Sequence, residues 1–340
     1  MNSKTSRDDR FIVSMIKNGF ENVSVSEFIS ARCDWKYLLE NSVREGVFFP
    51  FYNNLLAIDA QGRMIPDEFR EQFRQTYYLH IAKGADFINR AERVFKRLDS
   101  IKIKTLLFKG PAVDSLIYDG FYRPRLDLDI AVMDEKIAEF ENMPHDPEEI
   151  TVHIHRHLIN NTFLTYDGSL GMDMARVWEE TEAFNGYGSI VTLKPEINIL
   201  YLCDHALKHD FDQLVFLYEI QRLIAYYGSR LDWKKLVSMA REFRMERLIY
   251  YGLYLVKEML SGDVPDDVIM AVKPKKFSIA ENIFIRDIMN RKIRRYSSYA
   301  VYLASREGIL KKTKFLFSTA FPRRITTKDN LARIGKSILR

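Results

Sequence analysis

Asp127 and Asp129 stand two residues apart in the segment Leu126-Asp127-Leu128-Asp129-Ile130-Ala131-Val132, which alternates polar and apolar residues with period two. On a β-strand this spacing sends both carboxylates to one side and Leu126, Leu128, Ile130 and Val132 to the other, with the two aspartate Cα atoms roughly 6–7 Å apart. Two such carboxylates can reach a single divalent cation. Hard oxygen donors suit Mg²⁺ or Mn²⁺, ions that keep some of their water and complete their shell with substrate phosphates, so the pattern points to phosphoryl or nucleotidyl transfer. Asp-x-Asp is a common tripeptide, and the assignment therefore leans on what surrounds it.

Just upstream, Thr105-Leu106-Leu107-Phe108 reads as a β-strand that ends at Lys109-Gly110. Pro111 suits the first turn of a helix continuing from Ala112 to Tyr118. A strand, a tight turn and a helix start offer backbone amides to an anion. Arg123 and Arg125, just ahead of the acidic strand, have the chemistry to bind a triphosphate or a pyrophosphate leaving group. The same stretch also reads as an ordinary strand-turn-helix in which Gly110 serves only the turn.

Ile150 to Leu158 is a second alternating strand, with Ile150, Val152, Ile154 and Leu158 on one side and Thr151, His153, His155 and His157 on the other. The histidines read either as a metal site or as a half-exposed polar strand face. His205 and His209 lie one helical turn apart between Asp204 and Asp210, as a polar pair facing a cleft or as a histidine satisfied in a packing position. No Glu follows the first of them, which excludes the zinc-protease pattern. Neither Cys33 nor Cys203 has a His-rich setting that would make a thiol nucleophile.

The block Leu106-Leu107-Phe108-Lys109-Gly110-Pro111-Ala112, Leu116-Ile117-Tyr118 and Arg123-Pro124-Arg125-Leu126-Asp127-Leu128-Asp129-Ile130-Ala131-Val132 resembles the bacterial uncharacterised nucleotidyltransferase family of the DNA polymerase beta superfamily. Weaker likeness extends to Leu193-Lys194-Pro195-Glu196, Leu202, His205, Leu217-Tyr218-Glu219-Ile220 and Phe321-Pro322. The resemblance implies a small mixed sheet with flanking helices, on which divalent ions, an NTP and an acceptor align for in-line transfer of a nucleoside monophosphate. It assigns the metals to Asp127 and Asp129; the phosphates are then expected at Lys109 and Gly110 and the developing charge at Arg123, with Arg125 beside it as a phosphate-binding candidate. The chain departs from the superfamily in two places. Gly110-Pro111 stands where a Gly-Ser or Gly-Gly turn is usual, so Lys109 and the local amides must compensate for a missing hydroxyl. The position where the third acid of the superfamily is expected holds His153, a softer nitrogen ligand that suits Mn²⁺ or Zn²⁺ better than Mg²⁺; the alternatives are an acid elsewhere, for example Asp173, or none.

Around these residues the chain must build a scaffold. Its 340 residues exceed one ordinary domain, and 47% hydrophobic against 29% charged residues is the composition of a soluble, folded chain. Helical spacing dominates residues 10–100, with starts expected at Val23-Ser24-Val25-Ser26-Glu27 and at Ile65-Pro66-Asp67. Ile101–Lys104 is β-prone, Asp134–Met143 reads as a helix and Ser189–Leu193 as a strand. Lys194-Pro195-Glu196 opens a helical region running nearly to the end, punctuated by Pro265 and Pro274.

The expected fold is α+β: a helical region over 1–95, a small mixed β-sheet nucleotidyltransferase core over 96–195 and a helical region with a basic tail over 196–340. No apolar run reaches membrane-span length and no export signal opens the chain, and two cysteines suit a reducing compartment, so the expected setting is the cytoplasm. The net charge of +5 is uneven: residues 291–340 hold 14 Lys and Arg against 2 acids, leaving the rest at −7. That tail reads as a solvated face or as a contact for an anionic partner. The expected activity is metal-dependent transfer of a nucleoside monophosphate from an NTP to an acceptor. The alternative is a degenerate relative that binds nucleotide or a partner without turnover.

Overall fold

The computed structural model describes residues 3–19, 33–59, 64–118, 123–142, 148–158, 172–184, 186–292, 297–306 and 308–320. The helix start expected near Val23–Glu27, Phe321-Pro322 and half of the basic tail over 291–340 lie outside these residues.

Among the described residues the chain opens with the helices α1 (Ser3–Met15), α2 (Trp35–Arg44) and α3 (Phe48–Ile58). Asp34 caps α2, its side chain accepting from the Tyr37 amide at 3.1 Å. The long helix α4 (Asp67–Ser100) starts where expected, with Pro66 at the N-cap and Asp67 and Glu68 in the first turn, where negative charge meets the positive end of the helix dipole. It ends ahead of Lys102, which adopts φ 56°. That left-handed turn corrects the strand expected at Ile101–Lys104, since the chain must reverse there to enter the sheet.

The sheet comprises β1 (Thr105–Leu107), β2 (Asp127–Val132), β3 (Thr151–His155), β4 (Thr181–Ala183) and β5 (Ile190–Leu193), in the order β3-β2-β1-β5-β4. It is mixed as expected: β1 pairs antiparallel with β2 and parallel with β5, β2 pairs parallel with β3, and β4 pairs antiparallel with β5. The short β4 has no period-two signature and was not anticipated. Between the strands run α5 (Pro111–Ile117), α6 (Asp134–Glu141) and α7 (Met174–Glu179).

Period-two alternation divides the sheet between two cores. Leu107, Leu128, Ile130, Val132 and Ile190 pack against Phe87, Ala91, Val94, Phe95 and Leu98 of α4. Leu106, Phe108, Ala131 and Leu193 face the opposite way, into a larger core formed with the helices of both ends of the chain. Asp127 and Asp129 share the side of Ala131, so they look toward those helices. Each fully buried Leu or Ile contributes about 1.5–3 kcal/mol, which makes an inverted β2 untenable.

After β5 the helical region divides into α8 (Pro195–Lys208), α9 (Leu214–Tyr227), α10 (Trp233–Glu242), α11 (Glu246–Leu260), α12 (Asp266–Val272), α13 (Ile279–Met289), α14 (Tyr299–Ala304) and α15 (Ile309–Ala320). Pro265 forms the N-cap of α12. Pro195 occupies the first turn of α8, which is buried along most of its length and packs against α9, α10 and α11, as expected of a helix apolar on nearly all faces. Arg291 ties the two helical regions together. It pairs with Glu45, which also accepts from the Leu214 amide at 3.0 Å. Among the described residues, no helix is long and apolar enough to cross a membrane.

The contact between α8 and α11 depends on Gly252. A Cβ built there would lie 2.5 Å from Cys203 Sγ and 2.9 Å from its Cβ, closer than van der Waals contact permits. Cys203 is therefore a packing residue, and burial pushes its thiol pKa up, away from thiolate chemistry. Gly252→Ala should cost about 1–3 kcal/mol in denaturant unfolding, and Cys203→Ala in the same chain should recover part of it. Strict additivity of the two substitutions would refute the contact.

Asp204, one residue further along α8, is 2% exposed and accepts from the Tyr302 hydroxyl at 3.1 Å. Burial pushes its pKa up to about 6, against the pull of Tyr302 and Lys208. The folded state therefore binds this proton more tightly than the unfolded chain. The stability Asp204 lends is complete below about pH 4 and is lost as pH rises through about 6. Asp204→Asn keeps an acceptor for Tyr302, and its stability advantage over the parent should widen by up to about 3 kcal/mol between pH 4 and pH 8. Thermal unfolding at both pH values reads this directly, and a gap that does not change with pH would contradict it.

Candidate functional site

The site begins with strand register. β2 and β3 pair so that Asp127 faces Thr151, Asp129 faces His153 and Ala131 faces His155. Directly paired residues leave the sheet on the same side, so two carboxylates and two imidazoles converge on one face. His153 Nδ1 lies 3.1 Å from Asp127 Oδ2 and 4.0 Å from Asp129 Oδ1. His155 Nε2 lies 2.5 Å from Asp129 Oδ1. An ionised carboxylate only accepts hydrogen bonds, so this contact places the His155 proton on Nε2.

Lys109 completes the group from the end of β1, its Nζ 2.8 Å from Asp129 Oδ2. Burial would raise the Asp129 carboxyl, but the His155 hydrogen bond and the Lys109 ammonium outweigh it and hold the group well below the usual carboxylate range. Asp129 is thus a permanent anion. Asp127 is far more open, its side chain 44% exposed against 13% for Asp129, and presents its charge to solvent or a ligand.

The turn after Lys109 places Gly110 at φ 64°, ψ −122°, a conformation that disfavours any residue with a Cβ. Gly110 serves as N-cap of α5, its carbonyl accepting from the Val113 and Asp114 amides. Pro111 has no amide proton, so this helix start offers one donor fewer than a Gly-Ser or Gly-Gly turn.

The arginines lie immediately beside this turn. Arg125 packs on Gly110, its Nε 3.7 Å from where a Cβ would stand. Its guanidinium grips Asp114 on both oxygens, and Asp114 is wholly buried. Glu219 of α9 lies 3.7 Å from Arg125 and 3.3 Å from Arg123, and the Arg123 amide donates to Asp114 at 3.0 Å. Burial lifts the Glu219 pKa above the usual range even though Arg123, Arg125 and Lys109 pull it back. Both arginines therefore act within a buried network of two acids that braces the turn from behind.

Helix α8 supplies the opposite wall. Phe108 meets His155 edge-on at 5.4 Å and Tyr201 at 5.2 Å, Tyr201 stacks on His205 at 5.7 Å, and His205 meets His209 at 4.7 Å. His205 is pushed well below its ordinary value by burial and by the Lys109, His209 and Lys208 charges, with Asp129 pulling the other way. A neutral imidazole thus stands within electrostatic reach of Lys109 and Asp129. His205 also meets Phe216 edge-on at 5.5 Å and His209 stacks on the same ring at 5.3 Å, so the pair is packed among aromatic rings beside the polar group.

Tyr201, Asp114 and Glu219 were not singled out as site residues. Tyr201 carries a faint signal, lying one helical turn before His205. Asp114 and Glu219 each sit inside apolar helical segments, and their partnership spans more than a hundred residues of sequence. Asp173, the other candidate third acid, caps α7 by accepting from the Ala175 amide at 2.9 Å. His157 lies beyond the end of β3 and is exposed.

Among the described residues no group of three or more His, Cys, Asp or Glu side chains is arranged to hold a metal ion. The donor set nevertheless suits a divalent ion that brings its own oxygen ligands. Asp127 is open, Asp129 is ionised, and the His153 nitrogen lies within 4.0 Å of an oxygen of each.

A family model described as an uncharacterised nucleotidyltransferase matches residues 139–261. The match takes in β3, β4, β5 and helices α7 to α11, and with them His153, His155, Tyr201, His205 and Glu219. It begins after β2, so Lys109, Gly110, Asp127 and Asp129 stand outside it. No curated protein and no solved structure matches the chain. Over residues 139–261, then, the chain is similar to the uncharacterised nucleotidyltransferases, and the structure sets that segment directly against the acidic strand.

Proposed function

We propose that the protein is a metal-dependent nucleotidyltransferase that moves a nucleoside monophosphate from an NTP to an acceptor. The observation that carries this reading is the pairing of β2 with β3, which joins Asp127 and Asp129 to the histidines of the family-like segment on one sheet face beside the Lys109-Gly110 turn. Asp127 and Asp129, with His153 beside them, would hold Mg²⁺ or Mn²⁺, and the ion when bound would neutralise phosphate charge and orient the leaving group.

The chain's own groups do the rest. His155 fixes the orientation of Asp129 and keeps it ionised. Lys109 can exchange part of its contact with Asp129 for a phosphate oxygen, which places a mobile cation where NTP charge arrives. Gly110 lets a phosphate approach the backbone closely. Arg123 and Arg125 add positive potential from behind the turn while remaining paired with Asp114 and Glu219. Phe108, Tyr201 and the neutral His205 wall the face and limit water.

A second reading, nucleotide or partner binding without turnover, draws on the same geometry. Asp129 is already satisfied by Lys109 and His155, and a histidine stands where a third acid is expected.

Asp127→Asn and Asp129→Asn should each lower NTP turnover by on the order of 10²–10³-fold, corresponding to several kcal/mol of lost charge stabilisation. Circular dichroism of both variants should remain that of the parent. Assay with labelled NTPs under Mg²⁺ and under Mn²⁺, together with calorimetric NTP binding, separates the readings. Binding without turnover in the parent selects the second, and NTP affinity unchanged by both substitutions removes this face from consideration.

A further inference from the structure

The far end of α5 opens onto a cavity of about 270 Å³ between α1, α3, α5 and α9, and nothing in the proposed transfer chemistry uses it. Its walls include Lys17, Phe49, Tyr118, Tyr218, Gln221 and Arg222. Two of these residues bury polar atoms with no hydrogen-bond partner among the described residues. Tyr118 is 7% exposed and its hydroxyl has no hydrogen-bond partner among the described residues; Gln221 is 5% exposed, its amide nitrogen donating to the Leu260 carbonyl while its oxygen accepts from no described residue. Leaving such a group buried and unpaired is destabilising, so two beside one cavity mark a place where a ligand's groups would be stabilising.

The charge of the cavity is one-sided. Lys17 and Arg222 both line it, neither has an acidic partner among the described residues, and no described lining residue is acidic. Burial, foremost, and the nearby Glu219 keep the Tyr118 hydroxyl protonated, so it can both donate and accept. The Gln221 oxygen needs a donor. A ligand hydroxyl satisfies either requirement, and an oxyanion satisfies the two cations. The volume lies just below the roughly 300–1,000 Å³ of pockets for drug-sized ligands, which suits a molecule the size of a sugar phosphate better than a nucleotide.

We infer that this cavity is a binding site for a small polyhydroxylated anion, with Lys17 and Arg222 on its phosphate or carboxylate and Tyr118 and Gln221 on its hydroxyls. The site shares neither Lys109 nor Asp129 with the acidic strand. It stands about 10 Å from Gly110 along α5, so it holds whether or not the protein transfers nucleotides.

Calorimetric titration of the full chain with ribose 5-phosphate, gluconate, neutral ribose and inorganic phosphate tests the site. One of the two anionic polyols should bind with one-to-one stoichiometry, and the choice between them distinguishes a phosphate from a carboxylate ligand. Ribose and inorganic phosphate should each bind at least tenfold more weakly, since each satisfies half of the site. Lys17→Gln and Arg222→Gln should each weaken binding about tenfold or more, and Asp129→Asn should leave it unchanged. Tyr118→Phe removes an unsatisfied group, so the free protein should lose no thermal stability while the stabilisation conferred by the ligand falls. The proposal is overturned if neither anionic polyol binds, if ribose binds as tightly, if binding ignores Lys17 and Arg222, or if Asp129→Asn abolishes it.

Discussion

A largely buried carboxylate that stays ionised must be surrounded by compensating charge, and Asp129 imposes that requirement on everything near it. Lys109 approaches from the end of β1 and His155 from β3, so three adjacent strands are tied through one side chain. The tie places the Lys109-Gly110 turn, the open carboxylate of Asp127 and His153 within a few ångströms of each other. With Asp129 neutral, the lysine and the imidazole would face a polar site with no anion between them. The sheet would keep its hydrogen bonds, but the functional face would lose its geometry.

A second set of charges, behind the turn, is deeper. Asp114, Arg125, Glu219 and Arg123 connect α5, the approach to β2 and α9. Buried ion pairs are seldom a net source of stability, because desolvation offsets much of their attraction, but breaking one leaves an unpaired buried charge and is costly. Such a network therefore enforces one arrangement. It holds the acidic strand and the Lys109-Gly110 turn at a set distance from the helical layer. Tyr118 touches the same field from the cavity side, which makes α5 a short rod with polar chemistry at both ends.

The helical layer behind α8 supplies stiffness. α8 is surrounded by α9, α10 and α11, and Gly252 lets α11 approach until Cys203 fills the space. Interiors packed to this density transmit displacement, so the buried Tyr201 and the half-buried His205 of α8 are held firmly against the sheet. Aromatic contacts from Phe108 to His155 and Tyr201 carry that placement across the cleft.

Much of the architecture is local in origin and was legible in the chain. Period-two alternation marked β2 and β3 and separated their faces, Pro66-Asp67 marked the start of α4, and Lys109-Gly110-Pro111 marked a turn between a strand and a helix. These are properties of neighbouring residues, and backbone sterics and helix capping act over a few positions. The strand expected at Ile101–Lys104 failed because a left-handed turn at Lys102 was needed to reverse the chain after α4, a demand set by the sheet. The short β4 escaped notice because its pairing with β5 supplies the order that its own residues do not. In the candidate site, Asp127, Asp129, Lys109 and His153 were visible as residue types at suggestive spacings. Their partners were not: His155 on Asp129, Arg125 on Asp114, Glu219 on both arginines and His205 near Lys109 are joined only by register and helix packing. Charge acts through space, and no local pattern in a sequence records which distant carboxylate will face which cation once the layers close.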